Sequence, residues 1–123
     1  MGKFIIAANK KGDPYFVLKA GNGEVIASSE AYSSLESCKH GVESLRKNCE
    51  SHVEDQTVED FEKLSCPKYE LYQDKKGEYR FRLKASNGEI IVTGEGYSSK
   101  PGCKNGVESI GRNAPNAEVV CEI

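Results

Sequence analysis

Two stretches hold the residue types that chemistry would need. Between residues 68 and 84, Tyr72, Arg80, Arg82 and Lys84 put an aromatic ring among three cations at strand-like spacing. That mixture can stack on bases and neutralise phosphates, the chemistry of weak single-stranded nucleic-acid binding. Further on, Ser98, Ser99, Lys100 and Lys104 gather hydroxyls and lysines where a helix should begin. The free amides and dipole of a helix start can hold a small anion. Each group also has a plainer reading. A charged strand face is ordinarily solvated, with Glu95 expected opposite Arg80 as a cross-strand ion pair. Serines at a helix start are ordinary caps.

The thiols and imidazoles point to less. Five cysteines, at 38, 49, 66, 103 and 121, contain no C-x-x-C pair and match no zinc or redox spacing. Cys38 and Cys103 fall on an apolar stripe beside valines, where cysteine is a small core filler. A reactive thiol wants an activating base or cation. His40 lies two residues from Cys38, on another side of the helix, and its counterpart in the second copy is Asn105. His40 and His52 are the only histidines, and neither has a partner at ligand spacing. No catalytic constellation, metal set or cofactor motif emerges, so a non-enzyme is expected. The alternative, a thiol-dependent enzyme, would need Cys38 or Cys103 exposed.

The elements that carry these residues come from a duplication. Residues 3–48 align without a gap on residues 68–113, 65 positions later, with half of the aligned positions identical. In each copy Asn-Gly, at 22–23 and 87–88, is the strongest short hairpin signal. The pattern predicts strands over 3–8, 15–20 and 24–31, then a helix started by Ser33 with Glu36 as a capping box. Its buried stripe is Leu35, Cys38, Val42, Leu45 and Cys49 at helical spacing. The second helix repeats this as Cys103, Val107, Ile110 and Ala114.

Taking Asn87-Gly88 as a two-residue turn sets a register: Ala85 with Ile90, Leu83 with Val92, Phe81 with Gly94, and on the other face Lys84 with Ile91, Arg82 with Thr93, Arg80 with Glu95. Lys75-Lys76-Gly77 reads as a three-residue loop with a bulge at the glycine. Phe4, Ile6, Phe16, Leu18, Ala20 and Val25 share the apolar face in copy one. Gly41 and Gly106 sit inside the helices, each costing about 1 kcal/mol against alanine, which suggests either close backbone approach to another element or plain inheritance from the ancestor of both copies.

The acidic linker 52–67 is expected to hold a weak strand over 53–58 and a short helix capped by Thr57 and bearing Val58, Phe61 and Leu64. The tail 117–123 reads as a further strand. The organisation is thus a first repeat over 1–51, the linker, and a second repeat over 68–123, packed as one domain. The fold class is α+β, with tandem β-β-β-α-β repeats making one antiparallel sheet and two main helices on one face.

The motifs F-x-L-K-A-x-N-G-E and Y-S-S-x-x-x-C-K-x-G-V-E-S, present in both copies, resemble the YegP-like family of small, mostly bacterial proteins. The resemblance covers both repeats. It implies a single continuous sheet with the closing strands exchanged between repeats and the helices on one side. It further implies that one-repeat members dimerise and that two-repeat members are monomers. No activity, substrate or catalytic residue comes with it.

Composition bounds the rest. The chain has 123 residues, a net charge of −2 and 29% charged residues, so no global field draws nucleic acid or membrane. No apolar run approaches the roughly 18 residues of a membrane span. A cytoplasmic location and a monomer are expected. The leading functional expectation is a binding or interaction module that uses the open sheet face or a sheet edge, with β-augmentation by a partner strand as a natural mode.

Overall fold

Four glycines with positive φ close the four hairpin loops and set the sheet's register. Gly12, Gly23, Gly77 and Gly88 lie at φ +84 to +87, where only glycine is free of strain. In the computed structural model, which describes residues 2–123, the strands joined by these loops are β1 (Lys3–Ala8), β2 (Pro14–Lys19) and β3 (Val25–Ser28) in copy one. Helix α1 (Leu35–Asn48) and strand β4 (Val53–Asp55) follow. Copy two has β5 (Lys68–Gln73), β6 (Tyr79–Lys84), β7 (Ile90–Gly94), α2 (Lys100–Asn113) and, after a 3-10 turn over Ala114–Asn116, β8 (Glu118–Cys121).

At Gly77 the three-residue loop is as expected, with the Gly77 amide donating to the Asp74 carbonyl at 3.0 Å. At Asn87-Gly88 the loop is one residue longer than expected. The Gly88 amide donates to Ala85 at 2.8 Å and the Ala85 amide to Glu89 at 2.9 Å, so Ser86, Asn87 and Gly88 all lie in the loop. A left-handed glycine in the third loop position leaves a bulge in the following strand. Leu83 still pairs with Val92 and Arg82 with Thr93, but Lys84 pairs with Ile90 and Ile91 is the extra residue. Ile91 and Val92 are therefore both buried, and in copy one Ile26 takes the core place expected of Val25.

All eight strands form one sheet in the order β4-β5-β6-β7-β3-β2-β1-β8. The copies join where β3 pairs antiparallel with β7. The closing strands are exchanged: β4, which follows α1, lies on β5, and β8, which follows α2, lies on β1. Both closing pairs are parallel, which makes the sheet mixed rather than wholly antiparallel.

The helix side of the sheet carries Phe4, Ile6, Phe16, Leu18, Tyr69, Leu71, Phe81 and Leu83, all fully buried. Each large apolar side chain removed from water contributes roughly 1.5–3 kcal/mol. Cys38, Val42, Leu45 and Cys49 meet them from α1, and Cys103, Val107 and Ile110 from α2. Leu35, expected on this stripe, is 36% exposed because it is the first helical residue. The cap is Ser34 rather than Ser33, its hydroxyl accepting from the Ser37 amide at 3.1 Å, so no Ser33–Glu36 capping box forms. Ser99 caps α2 in the same way through the Gly102 amide.

The helix glycines are explained by two tyrosines. A Cβ on Gly41 would collide with the Tyr32 hydroxyl, and one on Gly106 with the Tyr97 hydroxyl. Tyr32 and Tyr97 in turn stack on Phe16 and Phe81, with centroids 6.3 and 6.4 Å apart.

Residues 56–67 contain no helix. Thr57 is drawn back to Asp55 instead, its amide 3.0 Å from Oδ1, and Asp60 takes a left-handed φ of +58 that no helix tolerates in its interior. Val58 and Phe61 are left 49% and 41% exposed.

Candidate functional site

The helix-free face is crossed by one row of side chains that touches every strand. From one edge to the other it runs Val120, Ile5, Val17, Ser28, Thr93, Arg82, Glu70 and Glu54, each aligned with the next. Ser28 and Thr93 are each other's counterparts at the junction of the copies. On one side of them the row is ionic and on the other aliphatic. One duplicated scaffold thus presents two different surfaces.

The ionic half contains the expected cluster. Tyr72, Arg80, Arg82 and Lys84 do come together, but each cation already holds a carboxylate. Arg82 Nε lies 2.6 Å from Glu70 Oε1, and Lys84 Nζ lies 3.3 Å from Glu70 Oε2. Arg80 pairs with Asp74 at 2.7 Å and with Glu78 at 3.7 Å. The expected Arg80–Glu95 pair is replaced because Asp74 stands at the turn on the neighbouring strand, where its other oxygen also accepts the Lys76 and Glu78 amides. The Arg82 guanidinium covers the Tyr72 ring at 4.6 Å, a cation–π contact that occupies the face a base would need.

Beneath this layer lies a buried triad that the sequence reading did not single out. Lys68 Nζ is 2.7 Å from Glu54 Oε1 and 3.3 Å from Glu70 Oε2, and all three side chains are almost wholly buried. Burial alone would raise the Glu54 carboxyl. Hydrogen bonds from Lys68, Gln56 and the Leu64 amide outweigh it and hold Glu54 at about 2. Burial likewise opposes ionisation of Glu70, and Arg82, Lys84 and Lys68 together bring it below the usual carboxylate range. Glu54 raises Lys68 above its ordinary value against the cost of burial. Four carboxylates (Glu54, Glu70, Asp74, Glu78) thus balance four cations (Lys68, Arg80, Arg82, Lys84) on this half.

The aliphatic half ends at β8, an outermost strand with no neighbour beyond it. Val119 is 38% exposed and Cys121 is open to solvent. The strand carries no proline, no lysine and no bulge, three of the devices that guard an edge, and its one charged residue is Glu118. The opposite edge differs. β4 has three residues, and Asp55 at its end receives Lys100 at 3.1 Å and the Thr57 amide.

At the start of α2, Ser99 is spent on capping and Lys100 on Asp55, while the side chains of Ser98 and Lys104 make no hydrogen bond or ion pair among the described residues. Cys38 and Cys103 are fully buried, and burial raises both thiols, Cys103 to about 11. Such thiols stay protonated near neutral pH and are poor nucleophiles. Among the described residues no three His, Cys, Asp or Glu side chains converge as metal ligands could, and no helix is long and apolar enough to cross a membrane.

With this arrangement in hand, similarity to known proteins is informative. The sequence pattern of a domain of unknown function, DUF1508, matches residues 9–55 and again residues 74–120. The chain belongs to this family. The UPF0339 protein YegP of Yersinia pestis is 39% identical over 113 residues, 92% of this chain and 88% of that protein. A UPF0339 protein of Treponema denticola is 58% identical over 53 residues, 43% of this chain but 91% of that protein, so that relative is about one copy long. The solution NMR structure of the E. coli protein of unknown function yegP superposes with a TM-score of 0.80 at 30% identity, covering 98% of this chain and 92% of the other. That of a UPF0339 protein from Shewanella oneidensis gives 0.79 at 31% identity, covering 98% and 90%. The resemblance noted from the repeated motifs holds, and so do the tandem α+β organisation and its single sheet. No relative among these carries an enzymatic name.

Proposed function

We propose that this protein is a non-catalytic interaction module that takes an extended segment of a partner onto the free edge of β8. What carries the reading is the contrast between the two edges of one sheet. The β4 edge is short and tied down by Asp55, Thr57 and Lys100. The β8 edge is aliphatic at its centre, exposed, and free of proline, lysine or a bulge. An outermost strand offers a row of backbone donors and acceptors, and adding a strand there supplies affinity through main-chain hydrogen bonds.

The alternation of β8 supports the same reading. The Glu122 amide donates inward to the Ile6 carbonyl at 2.8 Å. Strand geometry then turns the amides of Val119 and Cys121 outward. Single-stranded nucleic-acid binding at Tyr72, Arg80, Arg82 and Lys84 is the weaker reading, because those cations are neutralised within the sheet.

The test is an amide NMR titration with a neutral strand-forming peptide of alternating threonine and valine. Shifts centred on residues 118–122 and spreading to 3–6 are expected. Cys121→Pro, which removes an outward amide at a position where an edge strand accepts proline, should abolish them while the rest of the spectrum is retained. Shifts confined to other surfaces, or unaltered by Cys121→Pro, would overturn the reading.

A further inference from the structure

We infer that the segment recognised at β8 has an aliphatic centre flanked on both sides by basic residues, and that it comes from a different chain rather than from a second copy of this one. The inference rests on the reading of β8 as the docking edge and gives that edge a chemistry.

Val119 pairs with Phe4 and Cys121 with Ile6, both on the helix side of the sheet. Glu118, Val120 and Glu122 therefore point to the helix-free face. A strand laid outside β8 in register must alternate in the same way. Its outer positions would face Glu118, Val120 and Glu122 in turn. Neither glutamate forms an ion pair or side-chain hydrogen bond among the described residues, and Lys3, although aligned with Glu118 on β1, does not bridge to it. Two unneutralised carboxylates four residues apart on one face select lysine or arginine opposite each. Between them Val120 continues the Ile5–Val17 row and selects a β-branched side chain. On the helix side a cleft of about 360 Å³ between α1 and β8 is lined by Lys39, His40, Val42, Glu43 and Val119. It would receive the aliphatic side chains of the intervening positions. The resulting pattern, basic-aliphatic-aliphatic-aliphatic-basic, reads the same in both chain directions.

The same two glutamates disfavour self-association. Antiparallel pairing of two copies about Val120 would set Glu118 of each against Glu122 of the other. Like charges directly opposed across a strand pair are destabilising.

The test uses two capped peptides with the cores Lys-Val-Val-Val-Lys and Glu-Val-Val-Val-Glu, titrated at low salt and again near physiological ionic strength, where the Debye length shrinks to about 8 Å. At least tenfold tighter binding of the basic peptide, weakening with salt, is expected. The double variant Glu118→Lys with Glu122→Lys, both exposed positions, should reverse the preference. Equal binding of both peptides at residues 118–122 would overturn the charge selection and leave the docking edge intact. No shift at 118–122 with either peptide would overturn both. A dimer in sedimentation that dissociates in Cys121→Pro would overturn the exclusion of a second copy.

Discussion

Lys68 Nζ stands 2.7 Å from Glu54 Oε1, in an almost water-free position, and so joins the closing strand of one copy to the first strand of the other. Glu54 and Val120 hold equivalent places in the two halves, beside Glu70 and Ile5 respectively. The ionic lock therefore exists on β4 alone. Its absence from β8 leaves that edge aliphatic and open, and the functional reading grows from this asymmetry.

The lock should be visible in acid. Glu54 is held at about 2 against an ordinary 4.5, so its contribution to stability is complete above pH 4.5 and fades as the pH falls towards 2. Glu70 and Asp55, both lowered, add in the same direction. Glu54→Gln should flatten the acid limb of a denaturation profile followed by circular dichroism. Lys68→Met, which leaves two buried carboxylates facing each other, should cost about 3–5 kcal/mol at neutral pH. An acid limb unchanged by Glu54→Gln would mean that the pair does not hold β4.

The helix glycines make an unusual demand. In an exposed helix Gly→Ala gains about 1 kcal/mol. At Gly41 and Gly106 the new methyl would meet a tyrosine hydroxyl, and overpacking of that kind costs about 1–3 kcal/mol. Urea denaturation of Gly41→Ala should show a loss, partly recovered when Tyr32→Phe removes the hydroxyl. A gain in the single variant would contradict the packing.

Thiol labelling separates core from surface. Cys121 should alkylate quickly in the native protein, whereas Cys38, Cys49 and Cys103 should wait for unfolding. Rapid native labelling of Cys38 or Cys103 would revive a thiol-dependent activity.

The charge-balanced face yields a negative expectation. A short mixed-sequence DNA single strand should produce no salt-dependent amide shifts at residues 70–73 and 80–84, because Arg80, Arg82 and Lys84 are already neutralised. Clear shifts there, fading near 200 mM salt and lost in Arg80→Ala with Arg82→Ala, would show instead that phosphates displace Asp74 and Glu70.

Local chemistry was legible in the sequence and long-range chemistry was not. The Gly77 loop and the apolar stripes follow from spacing within a few residues, whereas the tyrosine hydroxyls that Gly41 and Gly106 make room for do not. The Asn-Gly loops are one residue longer than the dipeptide implies because their glycine serves the third loop position rather than the second, and this brings Ile26 and Ile91 into the core. Ser33 and Ser34 are indistinguishable as caps until the helix start is placed. Glu54 lies in an acidic linker with no local sign of pairing, since its partner Lys68 is 14 residues away on another strand. A signal was available, however. Copy two has Glu70 and Arg82 where copy one has Ile5 and Val17, and two charges replacing two aliphatics on adjacent strands imply a pair.

Amide hydrogen exchange along β8, free and with the basic-flanked peptide, tests the docking edge most directly. In the free protein Val120 and Glu122 should exchange slowly, and Val119 and Cys121, whose amides face solvent, should exchange fast. Saturation with the peptide should slow Val119 and Cys121 to the rate of their neighbours. If Val119 and Cys121 exchange equally fast with and without bound peptide, β8 is not the surface this protein uses.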